Sequence, residues 1–286
     1  MLLQQAYNGL AIGSIYALIA VGITLVYGLS RIIHFAVGEL VMFGAFTTWE
    51  VQRLTGSYTL GFAAAAIVMA VVGILTERFV FRFTLKTPLT GFIVSLGLIL
   101  VFQGLAVVFW TANTQYVLPP LQGAWDLGAF IVIKQTVLNI AIAVAVLGLC
   151  YVVLMHTKYG KALRAVSDDQ GAAALMGIPV RRVITSAFVA GSVLCGVAGW
   201  LVLSAGSISP HVGDSYLLRG FAVALIGGLG SVSGAAIAGI GLGVAESLAA
   251  GYVSSGWNDA YVFGLMIAIL LWRPTGLAKG SEGAHI

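Results

Sequence analysis

Charge is what this chain has least of. Fourteen basic and ten acidic residues are all that 286 positions hold, 8% of the sequence, where a soluble domain carries about 25%. Proline occurs six times and cysteine twice, too few for a disulfide scaffold or a proline-rich linker. No closely spaced His/Cys set is present, which argues against zinc. Gly160-Lys161 is followed by Ala162, so the chain has no phosphate-binding loop of its own. The run Gly230-Ser-Val-Ser-Gly234 puts Val232 where a nucleophile elbow needs serine. No paired nucleophile and base stand out, and the expectation is a non-enzyme without cofactor or metal. The net charge of +4 needs no nucleic acid, because the basic residues gather in loops as the positive-inside rule places them. No Lys or Arg precedes the first apolar run, which therefore reads as a retained span rather than a cleaved signal peptide.

Apolar sequence is what fills the space. Hydrophobic residues make up 60%, and the mean hydropathy is +1.03. A spanning helix takes about 20 mainly apolar residues. Runs at 9–29, 35–51, 59–76, 89–110, 136–155 and 183–204 qualify, with a long Gly-rich region at 217–248 and a closing run at 260–272. None alternates as a barrel strand would. The expected fold is an all-α polytopic membrane protein of about eight transmembrane elements, a single domain over 1–286. Gly227, Gly228, Gly230 and Gly234 cluster around Ser231 and Ser233 and predict a broken or re-entrant segment, which at membrane depth requires protein or a water-filled cavity around it. The spacings Gly230–Gly234 and Gly239–Gly243 equally suit close helix packing.

Segments 77–88 and 156–182 hold eight basic residues, against Lys134 and Arg219 in the intervening loops. Both segments are therefore expected in the cytoplasm, with the N-terminus outside. The tail bearing Arg273 and Lys279 also reads as cytoplasmic, which requires 217–248 to cross twice or to dip in and out.

The segment 156–182 is itself a charged island, with seven charged residues in 27 positions. Within it, Ser167 and Gln170 read as a capping box, with Asp168 and Asp169 in the first helical turn. Gly177 followed by Pro179 reads as a stop. The expectation is one helix over 167–176, roughly 15 Å long, too short to stand alone. Its Ala172 and Ala173 offer a small face flanked by Leu163, Val166, Leu175 and Met176. The competing reading is a plain connector.

Ionisable residues in or beside spans are functional candidates. Arg31, His34 and Glu39 lie near the first junction, where a headgroup-level position is the simpler alternative. Glu246 stands inside a span with no charged neighbour in sequence and is expected to be protonated, paired across helices or close to a surface. His211 and Asp214 read as a solvated external turn. Asn8, Ser95, Gln103 and Asn139 are expected to make interhelical hydrogen bonds. The tentative translocation residues are His34, Glu39, Gly228, Gly230, Ser231 and Glu246.

From Asn8 to Gly276 the chain resembles the bacterial branched-chain amino acid ABC transporter permease family, of the LivH type. The matching pieces are Asn8-Gly-Leu-Ala-Ile-Gly-Ser-Ile-Tyr-Ala-Leu18, Phe35-Ala-Val-Gly-Glu-Leu40, Gly160-Lys-Ala-Leu-Arg-Ala165, Ala172-Ala-Ala-Leu-Met-Gly-Ile178, Gly227-Gly-Leu-Gly-Ser231 and Arg273-Pro-Thr-Gly-Leu277. The resemblance implies half of an importer channel in the bacterial inner membrane. Its partners would be a second, related permease in a heterodimer, two cytoplasmic ATP-binding subunits and an external solute-binding protein, and its cargo leucine, isoleucine, valine or related solutes. It also implies that 156–182 couples to the ATPases through an E-A-A-x-x-x-G element. Here that element falls on Gly171, Ala172, Ala173 and Gly177, so its acidic role passes to Asp168 or Asp169. A stand-alone channel or ion-coupled carrier for a small polar solute such as urea or an amide, gated by Glu246 or Glu39, is the alternative.

Overall fold

Residues 1–85, 87–110, 112–117, 120–126 and 131–278 are described in the computed structural model. The apolar runs become α1 (Leu2–Ser30), α2 (Val37–Thr55), α3 (Tyr58–Phe79), α4 (Pro88–Phe109) and α5 (Lys134–His156). The charged island becomes α6 (Lys158–Asp168) and α7 (Gln170–Leu175), followed by α8 (Val180–Leu203), α9 (Val212–Gly227), α10 (Val232–Tyr252) and α11 (Asn258–Trp272). Among the described residues four strands of two or three residues decorate the loops. β1 (Gln115–Tyr116) pairs with β4 (Ser207–Ile208), and β2 (Ala124–Asp126) with β3 (Ile131–Ile133), both antiparallel.

Among the described residues six helices are long and apolar enough to cross a membrane: α1, α4, α5, α8, α10, and α3 with the helical turn after it. The expected eight elements are not confirmed. α2 is long enough but carries Glu39, Glu50 and Arg53, while α9 and α11 have only 16 and 15 residues.

α1 and α8 form the centre and bury most of their length, whereas few residues of α4 and α5 are fully buried. Glycine sets the closest approaches. α1 and α10 run antiparallel, with Gly9 beside Val244 at one end and Gly28 beside Gly230 at the other. The Gly-rich region divides, as its composition predicts. α9 ends at Gly227, Gly228 and Gly230 take positive φ, and α10 begins after Ser231. The two helices form a hairpin, with Gly227 against Ala235. The turn after α11 seals it: Leu277 N donates to Ile226 O at 2.8 Å and Ala278 N to Gly227 O at 3.3 Å. Arg273 therefore lies at the same end of the molecule as this break. Lys279 falls outside the described residues, as does Lys86.

The chain between α1 and α2 is drawn in among the helices. Arg31 ends α1 in the left-handed region, and 31–36 run without helix, with Ile32, His34 and Ala36 buried in alternation. Ser95 of α4 holds the segment, accepting from Phe35 N at 3.2 Å and donating to Ile33 O at 3.4 Å. Tucked beside α4 in this way, the segment finds partners for backbone groups that lipid could not satisfy.

Candidate functional site

The charged island does not fold as one helix capped by Ser167. α6 is capped by Thr157, whose side chain accepts from Gly160 N at 3.2 Å. It buries Gly160, Leu163 and Val166 on one face. An added Cβ at Gly160 would lie 2.0 Å from Leu154 O, so this glycine lets α6 fold back across the end of α5. Ser167 and Asp168 are the last residues of α6 rather than the first of the next helix. The Ser167 hydroxyl donates to Gly28 O at 2.8 Å and the Gln170 amide to Leu29 O at 2.7 Å. Those carbonyls lie in the last turn of α1 and have no intrahelical partner. They capture the two side chains that the pattern assigned to backbone amides at a helix start.

Asp169 is the true cap of α7. Its Oδ1 accepts from Gly171 N at 2.7 Å and Ala172 N at 2.9 Å. α7 has six residues, not ten. At its other end, Gly177 takes φ 80° and donates to Ala174 O, while Ile178 N donates to Ala173 O; these are the paired bonds of a Schellman stop. Here the expected terminator holds. A Cβ at position 171 would sit 3.2 Å from Asp169 Oδ1, closer than an ordinary contact, so Gly171 suits the cap. Replacing Asp169 with Ala should cost about 1 kcal/mol of local stability, with Asn nearly neutral. Amide exchange over 172–178 is the measurement, expected to speed up about fivefold in the Ala variant only.

The apolar residues of the island divide by role. Leu163, Val166 and Ala173 face inward. Leu175 and Met176 stand 90% and 83% exposed at the tip of a helix capped at both ends. Ala172 is exposed as well. Of the two alanines only Ala172 offers a surface; Ala173 packs inside this chain.

The tentative translocation residues do not form one cluster among the described residues. Gly228, Gly230 and Ser231 lie at the α9–α10 break, at the same end as α6. His34 is buried edge-on to Phe81 at 4.6 Å and near Phe188 at 6.1 Å, and neither ring nitrogen has a partner among the described residues. Glu39 is buried at the start of α2, where Gln103 Nε2 donates to it and to Asp214 Oδ1, each at 3.0 Å. Gly38 and Gly213 touch there, so the N-terminal turns of α2 and α9 meet. Asp214 belongs to α9 rather than to a free external turn, and His211 is the residue before that helix.

Glu246 is paired across helices. Tyr16 Oη donates to its Oε2 at 2.9 Å and Arg219 Nε to its Oε1 at 3.2 Å; Arg219 also reaches Asp259 Oδ1 at 2.8 Å. Arg219 lies inside α9, not in the loop where its charge was counted. It, Tyr16 and Asp259 are functional candidates that sequence reasoning missed. The signal available was an isolated acid at 246 that required a base. This network ties α1, α9, α10 and α11 together, which makes Glu246 a clamp rather than a free acid. Gln103, Ser95 and Asn139 do bond between elements, Asn139 to Ser204 at 2.5 Å. Asn8 instead accepts from Gln4 within α1.

Residues 5–271 match the family described as branched-chain amino acid transport system / permease component. The high-affinity branched-chain amino acid transport system permease protein LivH of Salmonella typhimurium is 35% identical over 98% of this chain and 96% of its own length. The corresponding protein BraD of Pseudomonas aeruginosa is 32% identical over the same shares. A probable branched-chain amino acid transport permease protein LivH of Methanocaldococcus jannaschii is 28% identical over 92% of this chain and 88% of its own length. No solved structure matches. Matched along nearly its whole length, and built of apolar helices around a glycine-broken hairpin, the chain belongs to the branched-chain amino acid transport permease family.

Proposed function

We propose that this protein forms half of the translocation pathway of an ATP-driven importer for leucine, isoleucine, valine or related small solutes in the bacterial inner membrane. In this reading a second, related permease completes the pathway, two ATP-binding subunits drive it from the cytoplasm, and an external solute-binding protein delivers the cargo. The observation that carries the reading is the tip of α7. Leu175 and Met176 are exposed on a short, doubly capped helix, and α6 beside it is bonded to the end of α1. Exposed apolar side chains on such a mount suit docking into a groove on another protein. Ser167 and Gln170, bonded to Gly28 and Leu29, would then pass movement of α7 directly into α1 and, through Gly28 and Gly230, to the α9–α10 break. Asp169 serves as the cap, and exposed Asp168 is left as the acid available to a partner. The alternative of a stand-alone channel gains no support from Glu246, whose carboxylate is bonded to Arg219 and Tyr16.

The test is the double replacement Leu175→Glu, Met176→Glu. Burying such side chains is worth about 1.5–3 kcal/mol each, and an unpaired carboxylate at the same place reverses the sign. ATP-driven leucine uptake by vesicles holding the whole transporter should fall about tenfold or more, with the amount of protein in the membrane unchanged. Normal uptake by that variant would overturn the docking role.

A further inference from the structure

Between the charged island and the α9–α10 break lies a cavity of about 390 Å³, large enough for a small organic molecule. Its lining combines three chemistries. Leu25, Leu29, Leu154 and Leu163, from α1, α5 and α6, make an apolar wall. Ser231 and Ser233 bring in the N-terminus of α10, a helix of 21 residues. The Ser231 side chain accepts from Gly234 N at 3.2 Å, which leaves the amides of Val232 and Ser233 without a partner inside the helix, at the positive end of its dipole. The last turn of α6 closes the cavity with Ser167 and Asp168, the negative end of that helix, and with Arg164 one turn earlier.

A separate observation points to a ligand. Thr24 lines the same cavity and is only 1% exposed, yet its Oγ1 has no hydrogen-bond partner among the described residues. Buried hydroxyls are seldom left so. Opposite helix ends facing one cavity favour a zwitterion, since a simple anion would gain at α10 and lose at α6, and a simple cation the reverse.

We infer that the cavity is a binding site for a free α-amino acid with an aliphatic side chain. The carboxylate lies toward the first amides of α10 and Arg164, the ammonium toward Asp168 and the carbonyl end of α6, and the side chain on the leucine wall. The Thr24 hydroxyl gains the partner it lacks. A ligand held there bridges the coupling loop and the broken hairpin, so it resists their relative movement. Taking that movement as part of transport, and that end of the molecule as cytoplasmic, rests on the proposed function; the site then senses accumulated product and slows further uptake.

The experiment is equilibrium binding of labelled L-leucine to the intact transporter complex in lipid nanodiscs, without solute-binding protein or ATP. Saturable binding is expected, competed by isoleucine and valine. Isoamylamine, 4-methylpentanoate, inorganic phosphate and phosphoethanolamine, which lack one charged end or the aliphatic side chain, should compete about tenfold more weakly or worse, each forfeiting a charge-assisted bond or the apolar contact. Thr24→Val and Arg164→Gln should each weaken leucine about fivefold or more; Arg164 is exposed but also donates to Leu154 O, so the binding loss is read together with an unchanged melting temperature of the Arg164→Gln complex. Absence of saturable binding, equal competition by any of the four analogues, or unchanged affinity in both variants would overturn the inference. If the complex imports no branched-chain amino acid yet binds leucine in this variant-sensitive way, the import reading fails and the site stands. Import without such binding removes the site alone.

Discussion

Replacing Gly243 with valine should leave little folded permease in the membrane, while the same change at Gly241 should be tolerated. An added Cβ at Gly243 lies 2.3 Å from Gly13 Cα and 2.4 Å from Gly13 N; at Gly239 it lies 2.6 Å from Ala17 Cα, and at Gly9 2.5 Å from Val244 Cα. All these neighbours are backbone, so no rotamer change relieves the overlap and the two helices must separate. Helices in lipid gain little from the hydrophobic effect on meeting, and close backbone packing is the main source of their affinity. Separation would also stretch the Tyr16–Glu246 bond across the same interface. Overpacking costs typically 1–3 kcal/mol and occasionally more; with backbone on both sides and a second interaction lost, about 3 kcal/mol or more is expected here. Gly241 is on the same helix with nothing within 4 Å of an added Cβ, so it controls for β-branching and membrane insertion. The measurement is thermal unfolding in detergent together with folded yield. Equal melting of the two variants would sink the close-packing account.

This interface marks how far the sequence could be read. The spacing Gly239–Gly243 announced a packing face, but its partner was set by register: Gly9 and Gly13 have the same spacing more than two hundred positions away, and only antiparallel contact makes the two pairs complementary. Glycines at 227–230 signalled a break because the chemistry that ends a helix is local. The island shows the opposite case. Ser167 and Gln170 have the residue types of a capping box, and the chain does use them to satisfy orphan groups at a helix end. That end is the last turn of α1, reached across 139 and 141 positions, and no local pattern encodes it. Gly177 was legible because a positive φ needs nothing beyond the backbone. The course of 31–36 was not, since two adjacent isoleucines before His34 fit a helix junction as well as an extended segment. Counting charges by loop also put Arg219 on the wrong side of a helix boundary, and so hid the partner of Glu246.

Arg219→Met should be among the most destabilising polar changes in the molecule, and most of its cost should vanish when Glu246→Leu is added. Glu246 and Arg219 expose only 7% and 18% of their side chains, so water screens the pair weakly. Removing the arginine leaves a buried carboxylate with Tyr16 as its one remaining bond donor among the described residues, and stranding one member of a buried pair costs about 3–5 kcal/mol. Glu246→Leu alone is milder, because Arg219 keeps Asp259, whose carboxylate is 74% exposed; about 1–2 kcal/mol is expected for the lost buried bonds. With both groups apolar, no charge is stranded, and such replacements are often neutral relative to the intact pair. Tyr16 then loses its acceptor and keeps the double variant somewhat below the native protein, a remainder that Tyr16→Phe should recover. The cycle should give a coupling of about 2 kcal/mol or more, where independent sites agree within about 0.5 kcal/mol. Additive losses would mean that Arg219 and Glu246 act separately, and that the joining of α9 to α10 rests on the Gly227–Ala235 contact and the capped turn between them.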